Sequence, residues 1–280
     1  MTDHKWSLKM PRPSPRRAHC LWRNCLHASA PWVWGYVSSD LTAEYDDVTG
    51  IRAPWVTAPG AGTWERNTEG RCIDALAVAG VRPSWSAQND TFYKLAAVTR
   101  FSATVLVRPN VLTAVTTVPV YKRRGSPYGV GNAGWHFSGG AGNEWRAAIS
   151  DGATEIACTT AGAGGGGGGG ARAMLVGRTD LLTMTYDGAT LRLYMQGELK
   201  GSAAGAINIP ALTTQSLNFL GVGGAGATFD GSVGMGMLHS RVLTLGEISM
   251  LANDPFTAWR QLPEDFVGDN QLYQTFLLSF

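Results

Sequence analysis

Paired carboxylates are the first candidates for chemistry in this 280-residue chain. Retaining glycoside hydrolysis needs two carboxyl groups roughly 5.5 Å apart, which a strand provides through acids two or four residues apart. The densest acidic run extends from Glu44 to Asp47, and Glu44 and Asp46 would share one face of a strand. No third acid continues this pattern at position 48, so we interpret the run as a solvated loop. Glu264 and Asp265 receive the same interpretation.

Nucleophilic and metal-binding patterns are also sparse. The chain has no Gly-x-Ser-x-Gly motif, and its five histidines lie near no serine or cysteine partner in the sequence. One group has a spacing close to that of a zinc knuckle: His19, Cys20, Cys25 and His27. Structural zinc normally takes a second well-spaced pair, and only the solitary Cys72 and Cys158 remain. We expect buried free thiols, with zinc or a disulfide as the alternatives.

Two further patterns could indicate a calcium site or a phosphate-binding loop, but both are explained more simply as turns and loops. Asp180, Asp187 and Asp230 are single acids at predicted turns, not the clustered oxygens that calcium needs. The seven glycines from Gly164 to Gly170 are not followed by the Gly-Lys-Ser/Thr of a phosphate-binding loop. They predict a surface loop between strands. We therefore assign no catalytic residue, no metal and no cofactor.

One predicted hairpin carries the best candidates for sugar recognition. Sugars usually stack on an aromatic platform flanked by hydrogen-bonding side chains. The hairpin offers such a set: Trp135, His136, Asn143, Trp145 and Arg146. Core packing of the two indoles is the alternative.

Charge is distributed unevenly along the chain. Residues 1–24 hold six basic side chains against Asp3, a local charge of +5, so the net charge of +2 leaves −3 for the rest. Tryptophan and arginine are the usual anchors of protein interfaces. We expect residues 1–30 to form an arm that binds a protein neighbour through Trp6, Arg12, Arg16, Arg17, Trp22 and Arg23. A solvated tail is the alternative, and nucleic-acid binding is disfavoured.

The composition favours strands over helices. The chain has 36 glycines and only 16% charged residues, and each glycine inside a helix costs roughly 1 kcal/mol relative to alanine. Phe101 to Val107 alternates with period two and predicts a half-buried strand. Further strands are predicted at 115–121, 134–137, 145–149, 174–176, 181–186, 191–195, 217–222, 232–238 and 272–280. Turns are predicted at Asp-Gly and Gln-Gly pairs, which together favour an antiparallel sandwich or barrel.

A single short helix is predicted after the strand at 232–238. Thr244 and Glu247 have the spacing of a capping box, in which each side chain bonds the other residue's backbone amide. Ile248 and Leu251 follow as its apolar residues, and the sequence Asn253-Asp-Pro255 ends the helix.

The predicted strand order resembles the laminin-G-like, concanavalin A-like lectin superfamily. The run from Thr183 to Ser202 contains a "TYDG-x-x-L-x-L-Y-x-x-G" pattern typical of its central hairpin. Phe101 to Pro109 is similar to an upstream family strand, and Phe229-Asp-Gly231 is similar to an "FDG" turn. The resemblance spans roughly residues 95–255. It implies a two-sheet antiparallel jelly roll with an apolar interlayer.

A looser resemblance connects the chain with structural proteins of tailed bacteriophages, through its Pro/Arg-rich start and the motif beginning Asn253-Asp-Pro-Phe. It implies a virion surface protein. Together with the basic arm, the family-like strand order and the missing catalytic pairs, it leads us to expect a non-enzymatic capsid-surface decoration protein, a homo-oligomer that binds the major capsid protein or other virion proteins. The alternative is a carbohydrate-binding adhesin that recognises host glycans. We expect an anchoring arm at 1–30, a jelly-roll domain at 31–255 and an extension at 256–280. With no membrane span and no signal peptide, assembly in the host cytoplasm is expected.

Overall fold

A computed structural model describes residues 99–111, 133–139, 143–160, 174–209 and 229–255. It also describes the backbone of eight short strands outside these ranges, namely 32–34, 43–45, 52–54, 64–67, 70–76, 84–85, 120–123 and 217–219. The predicted arm at 1–30, its anchoring side chains and the predicted strand at 272–280 lie outside the described residues.

Two antiparallel sheets form the fold, with strands numbered along the chain. The larger sheet runs in the order β14 (Glu198–Ala204), β13 (Thr190–Met195), β12 (Asp180–Tyr186), β7 (Phe101–Pro109), β16 (Asp230–His239), β5 (Gly70–Leu76) and β4 (Trp64–Asn67), and β1 (Trp32–Trp34) also pairs with β16. The smaller sheet runs in the order β11 (Glu155–Thr159), β10 (Trp145–Asp151), β9 (Ala133–Gly139), β8 (Val120–Arg123), β15 (Leu217–Phe219) and β6 (Ser84–Trp85). β2 (Ala43–Tyr45) and β3 (Arg52–Pro54) form a separate pair. The predicted jelly-roll sandwich is confirmed.

The core lies between the two sheets. Alternate residues of each strand point into this layer, as the pleat of a strand requires. Phe101 of the larger sheet lies 6.0 Å from the ring of Trp135 in the smaller sheet and 6.5 Å from Tyr186 on its own sheet. All three side chains are buried. Burying such large rings contributes the main favourable free energy of folding.

β7 is buried on both faces, so the prediction of a half-buried strand is wrong. Its predicted inward residues, such as Phe101 and Val105, do lie in the interlayer core. Its opposite face is covered by helix α1 (Leu245–Asn253). These contacts form a second apolar cluster: Leu106, Leu181, Tyr194, Met235, Met237, Leu243, Ile248 and Leu251.

The predicted capping box of α1 is confirmed. The Thr244 hydroxyl accepts a hydrogen bond from the Glu247 amide at 3.3 Å, and the Glu247 carboxylate accepts from the Thr244 amide at 2.8 Å. The Arg241 guanidinium also donates to this carboxylate at 2.8 Å. Burial raises the pKa of Glu247, but the hydrogen bonds from Arg241 and Thr244 outweigh it and lower the pKa to about 2.

Two of the predicted Asp-Gly turns are confirmed, whereas the turn at Asp230 and the strand at 174–176 are wrong. Asp151 and Asp187 form the predicted turns, each accepting two backbone amides on Oδ1. Asp230 instead lies inside β16, so a turn there is wrong. A strand at 174–176 is also wrong, because the chain turns there and the Arg178 amide donates to Leu175 O at 3.2 Å.

The end strands of the two sheets meet along one side of the sandwich. A side chain added at Gly201 of β14 would place its Cβ 2.1 Å from the carbonyl oxygen of Thr159 on β11. Only glycine permits this approach of one backbone to the other. Neither β11 nor β14 was predicted from the sequence.

Gly201→Ala should destabilise the fold by about 1–3 kcal/mol, because the backbone of β11 would have to move away from the added methyl group. Gly246→Ala is the matched control, since its nearest neighbour is the Thr244 hydroxyl at 4.0 Å. Its helical position should leave stability unchanged or raise it by up to about 1 kcal/mol. Urea unfolding measures both variants, and equal unfolding midpoints would contradict the close approach.

Stability should fall as the pH drops from 4.5, the ordinary pKa of Glu247, towards its folded value of about 2. The lowered pKa means that the folded state favours the ionised carboxylate, so its contribution is present above pH 4.5 and is lost in acid. Glu247→Gln should make the acid decline of the melting temperature shallower. An unchanged slope would show that the cap contributes nothing to acid stability.

Candidate functional site

The β9–β10 hairpin, which carries the predicted sugar-binding residues, divides them between two faces. The register pairs Trp145 with Gly139 and Ala148 with His136. Trp135 and Trp145 therefore point into the interlayer core, whereas His136 and Arg146 lie on the outer face. Asn143 is exposed just before β10, with a positive φ of 56°.

Trp145 is a core residue that connects the two sheets. It is 0% exposed, and its indole Nε1–H donates to Asp180 Oδ2 on β12 at 2.8 Å. Arg178 donates to both oxygens of the same carboxylate, at 2.7 Å and 3.1 Å. Asp180, predicted as a turn acid, is thus a buried acceptor that is paired with a cation.

The aromatic platform predicted on this hairpin is not available to a sugar in this structure. Trp135 is 2% exposed and Trp145 is 0% exposed, so neither ring can stack on a pyranose or furanose from solvent. The two strands alternate, and the sequence did not indicate which alternate residues face the core. A sugar-binding role for the hairpin stays a prediction that depends on its polar residues.

His136, Arg146 and Glu155 form a line across β9, β10 and β11, which we call the polar strip. Arg146 NH1 lies 3.1 Å from His136 Nε2, and Arg146 NH2 donates to Glu155 Oε1. A guanidinium can only donate, so His136 Nε2 is the acceptor of this contact. The side chains of Arg146 and Glu155 are 20% and 22% exposed, whereas His136 is 1% exposed, so a ligand could reach the ion pair but not the imidazole.

A groove of about 370 Å³ opens beside the polar strip, between β11 and the end of β14. We call it the edge groove. Small or apolar residues make up most of its lining: Thr154, Glu155, Ile156, Ala157, Ala203, Ala204, Gly205, Ala206 and Ile207. Glu155 therefore belongs to both the edge groove and the polar strip.

Hydrogen bonds hold both walls of the edge groove. On one wall, the Tyr186 hydroxyl accepts from the Ile207 amide at 2.8 Å and donates to the Ile207 carbonyl at 3.0 Å. On the other, the Thr154 amide donates to Asp151 Oδ1 at 2.7 Å. The backbone amides of Thr154 and Ala153 lower the pKa of Asp151. The groove is thus formed before any ligand binds.

Other reactive groups of the described residues have structural environments. Cys158 is a free thiol on the inward face of β11, and burial raises its pKa to about 12, which leaves it protonated and poorly nucleophilic. Within the described ranges no cluster of three or more His, Cys, Asp or Glu side chains could hold a metal ion. The side chains of Glu44 and Cys72, together with Cys20, Cys25 and Asp46, lie outside the described residues.

Glu155 and the edge groove were not predicted from the sequence. Directly after the Asp151-Gly turn, buried and partly exposed residues alternate, with Ile156 and Cys158 buried between Glu155, Ala157 and Thr159. This short alternation was the available signal for β11. The pairing of β11 with the end of β14 depends on tertiary approach at Gly201, for which the sequence offers no local pattern.

Comparisons with known proteins identify the architecture. A family model described as the concanavalin A-like lectin/glucanases superfamily matches residues 86–249. The matched region lies inside the predicted domain at 31–255, whose boundaries stay a prediction. No curated protein sequence matches the chain.

Within the described residues no helix has the length and apolar character to cross a membrane.

Several solved structures share the fold at low sequence identity. Domain 4 of an extracellular arabinanase from Geobacillus stearothermophilus, in complex with arabinotriose, has a TM-score of 0.51 at 15% identity over 80% of this chain and 98% of that one. The binding domain of botulinum neurotoxin serotype G scores 0.59 at 15% identity over 81% of this chain. Trypanosoma rangeli sialidase in complex with sialic acid scores 0.55 at 16% identity over 82%. The chain spans 51% of the neurotoxin's binding-domain chain and 34% of the sialidase chain.

Trp145→Phe should cost about 1.5–3 kcal/mol more than Trp135→Phe, because it removes a hydrogen bond to a buried carboxylate. Trp135 is the matched control, since its buried Nε1–H finds no acceptor among the described residues. Chemical denaturation of both variants tests this difference. Equal losses would show that the contact between Trp145 and Asp180 contributes nothing beyond ring volume.

Proposed function

Because the chain belongs to the concanavalin A-like lectin/glucanases superfamily, we propose that it is a carbohydrate-binding domain. The binding site would be the edge groove together with the polar strip. The arabinanase domain of the same fold that is in complex with arabinotriose supports this proposal, since this chain covers 98% of it.

Glu155 is the observation that carries the proposal. It lines the edge groove while Arg146 holds its carboxylate. Sugar hydroxyls both donate and accept hydrogen bonds, so a guanidinium and a carboxylate held side by side can bind neighbouring hydroxyls. Because the pair is already ordered, binding loses little side-chain entropy.

The remaining lining suits the apolar part of a sugar. Ala204 and Ala206 of this lining are exposed, whereas Ala203 packs against the interlayer core and Ile156 lies against Gly205. The C–H faces of a sugar ring can pack on such a surface without an aromatic platform. Binding pockets commonly combine an apolar lining with a few fixed polar groups.

Binding without cleavage is proposed from the same lining. Glycoside hydrolysis requires two carboxyl groups on either side of the scissile bond. The described lining contributes one carboxylate, that of Glu155, and this carboxylate is paired with Arg146.

The predicted place of this domain on a virion surface is retained as a finer hypothesis. The local charge of +5 over residues 1–24 supports an anchoring arm that binds capsid or other virion proteins. In that setting a carbohydrate-binding domain would attach the particle to host glycans, so the two functions predicted from the sequence are compatible.

Arg146→Ala should weaken binding of any glycan captured by the native chain at least about tenfold, since it removes a charged hydrogen-bond donor and releases Glu155. Arg192→Ala is the matched control, because Arg192 forms a similar ion pair with Asp187 at the β12–β13 turn. A glycan array followed by calorimetric titration measures binding, and circular dichroism confirms that both variants fold.

Two results would contradict the proposal. One is a native chain that binds no glycan on a broad array, and the other is equal binding by the Arg146 and Arg192 variants. Release of soluble sugar from a bound polysaccharide would contradict the non-catalytic part alone.

A further inference from the structure

The charges around the edge groove cancel locally. Of the nine residues that line it, Glu155 alone carries a charge, and the guanidinium of Arg146 matches that charge. Arg146 NH1 lies 3.1 Å from Nε2 of His136. Among the described groups of this site, the one carboxylate and the one guanidinium are therefore paired with each other.

An acidic sugar would meet an unfavourable arrangement in this groove. A uronate, sialate or sulfate group is best bound by a guanidinium whose two N–H groups are turned towards it. Arg146 already directs NH2 to Glu155, so an acidic group could reach Arg146 only by lying beside the Glu155 carboxylate. Like charges placed next to each other in a binding interface weaken binding.

A neutral sugar meets no such penalty. A hydroxyl group can accept from the guanidinium and donate to the carboxylate at the same time, so the ion pair remains intact when the ligand binds. Binding of a neutral sugar then displaces water from the ion pair without breaking it. Glu155 thus attracts the hydroxyl groups of a neutral sugar and repels the anionic group of an acidic sugar.

We propose that the edge groove and polar strip select neutral oligosaccharides and exclude acidic ones, with Glu155 as the specificity-determining residue. This inference rests on the proposed function and names the ligand class of the same site.

The test compares a neutral oligosaccharide with the same oligosaccharide carrying one uronate or sialate group. Calorimetric titration of the native chain should give at least about tenfold tighter binding of the neutral partner. Glu155→Gln removes the repulsive charge and leaves Arg146 unmatched, so it should narrow or reverse this ratio. Glu198→Gln, in an ion pair with Lys200 at the far end of β14, should leave the ratio unchanged.

Ionic strength provides a second test that needs no variant. Because the discrimination is electrostatic, it should shrink as salt is raised from about 0.05 M to about 0.5 M. Equal or tighter binding of the acidic partner by the native chain would overturn the inference alone. The inference would also be overturned if Glu155→Gln left the ratio of neutral to acidic affinities unchanged. A native chain that binds neither oligosaccharide would contradict the proposed function together with the inference.

Discussion

The hydrogen bond from the Trp145 indole to the Asp180 carboxylate is the contact on which the arrangement of this sandwich depends. Its donor belongs to β10 and its acceptor to β12, so this buried bond connects the smaller sheet to the larger one. Arg178 supplies the compensating charge, without which a fully buried carboxylate would be costly. Since the indole points inward, its neighbour Arg146 must lie on the outer face beside His136 and Glu155. The same strand thus holds the core together and positions the polar strip.

The edge groove follows from how the two sheets meet. At Gly201 the backbone of β14 approaches β11 as closely as a chain can, and this contact closes one end of the shared edge. Beyond it the segment at 203–207 continues beside β11, where a Cβ added at Gly205 would lie 2.3 Å from Ile156 Cδ1, and the Tyr186 hydroxyl bonds the backbone of Ile207. Gly201 and Gly205 are about 13 Å apart along an extended chain, a length suited to a short oligosaccharide. The groove is therefore a product of sheet apposition, and it needs no inserted loop.

Several features of the fold could be predicted because they have local causes. The strand at β7, the turns at Asp151 and Asp187 and the Thr244–Glu247 capping box each follow from side-chain periodicity or a short-range hydrogen bond, and the structure confirms them. The second buried face of β7 could not be predicted, because it depends on where α1 packs. Asp230-Gly231 resembles a turn, yet Gly231 serves a close approach to the Arg108 carbonyl inside a strand. The same limit applies to the site. The hairpin with Arg146 was found from its residue types, whereas Glu155 and Ala203–Ile207 come together only through tertiary packing.

Amide chemical-shift mapping would locate the carbohydrate-binding surface without any variant. The isotope-labelled chain would be titrated with a neutral oligosaccharide and followed by two-dimensional NMR. We expect the largest shift changes on the amides of 154–157 and 203–207, with the Arg146 side chain responding in the same titration. Changes confined to other surfaces, such as α1 or the turn at Asp187, would contradict this expectation.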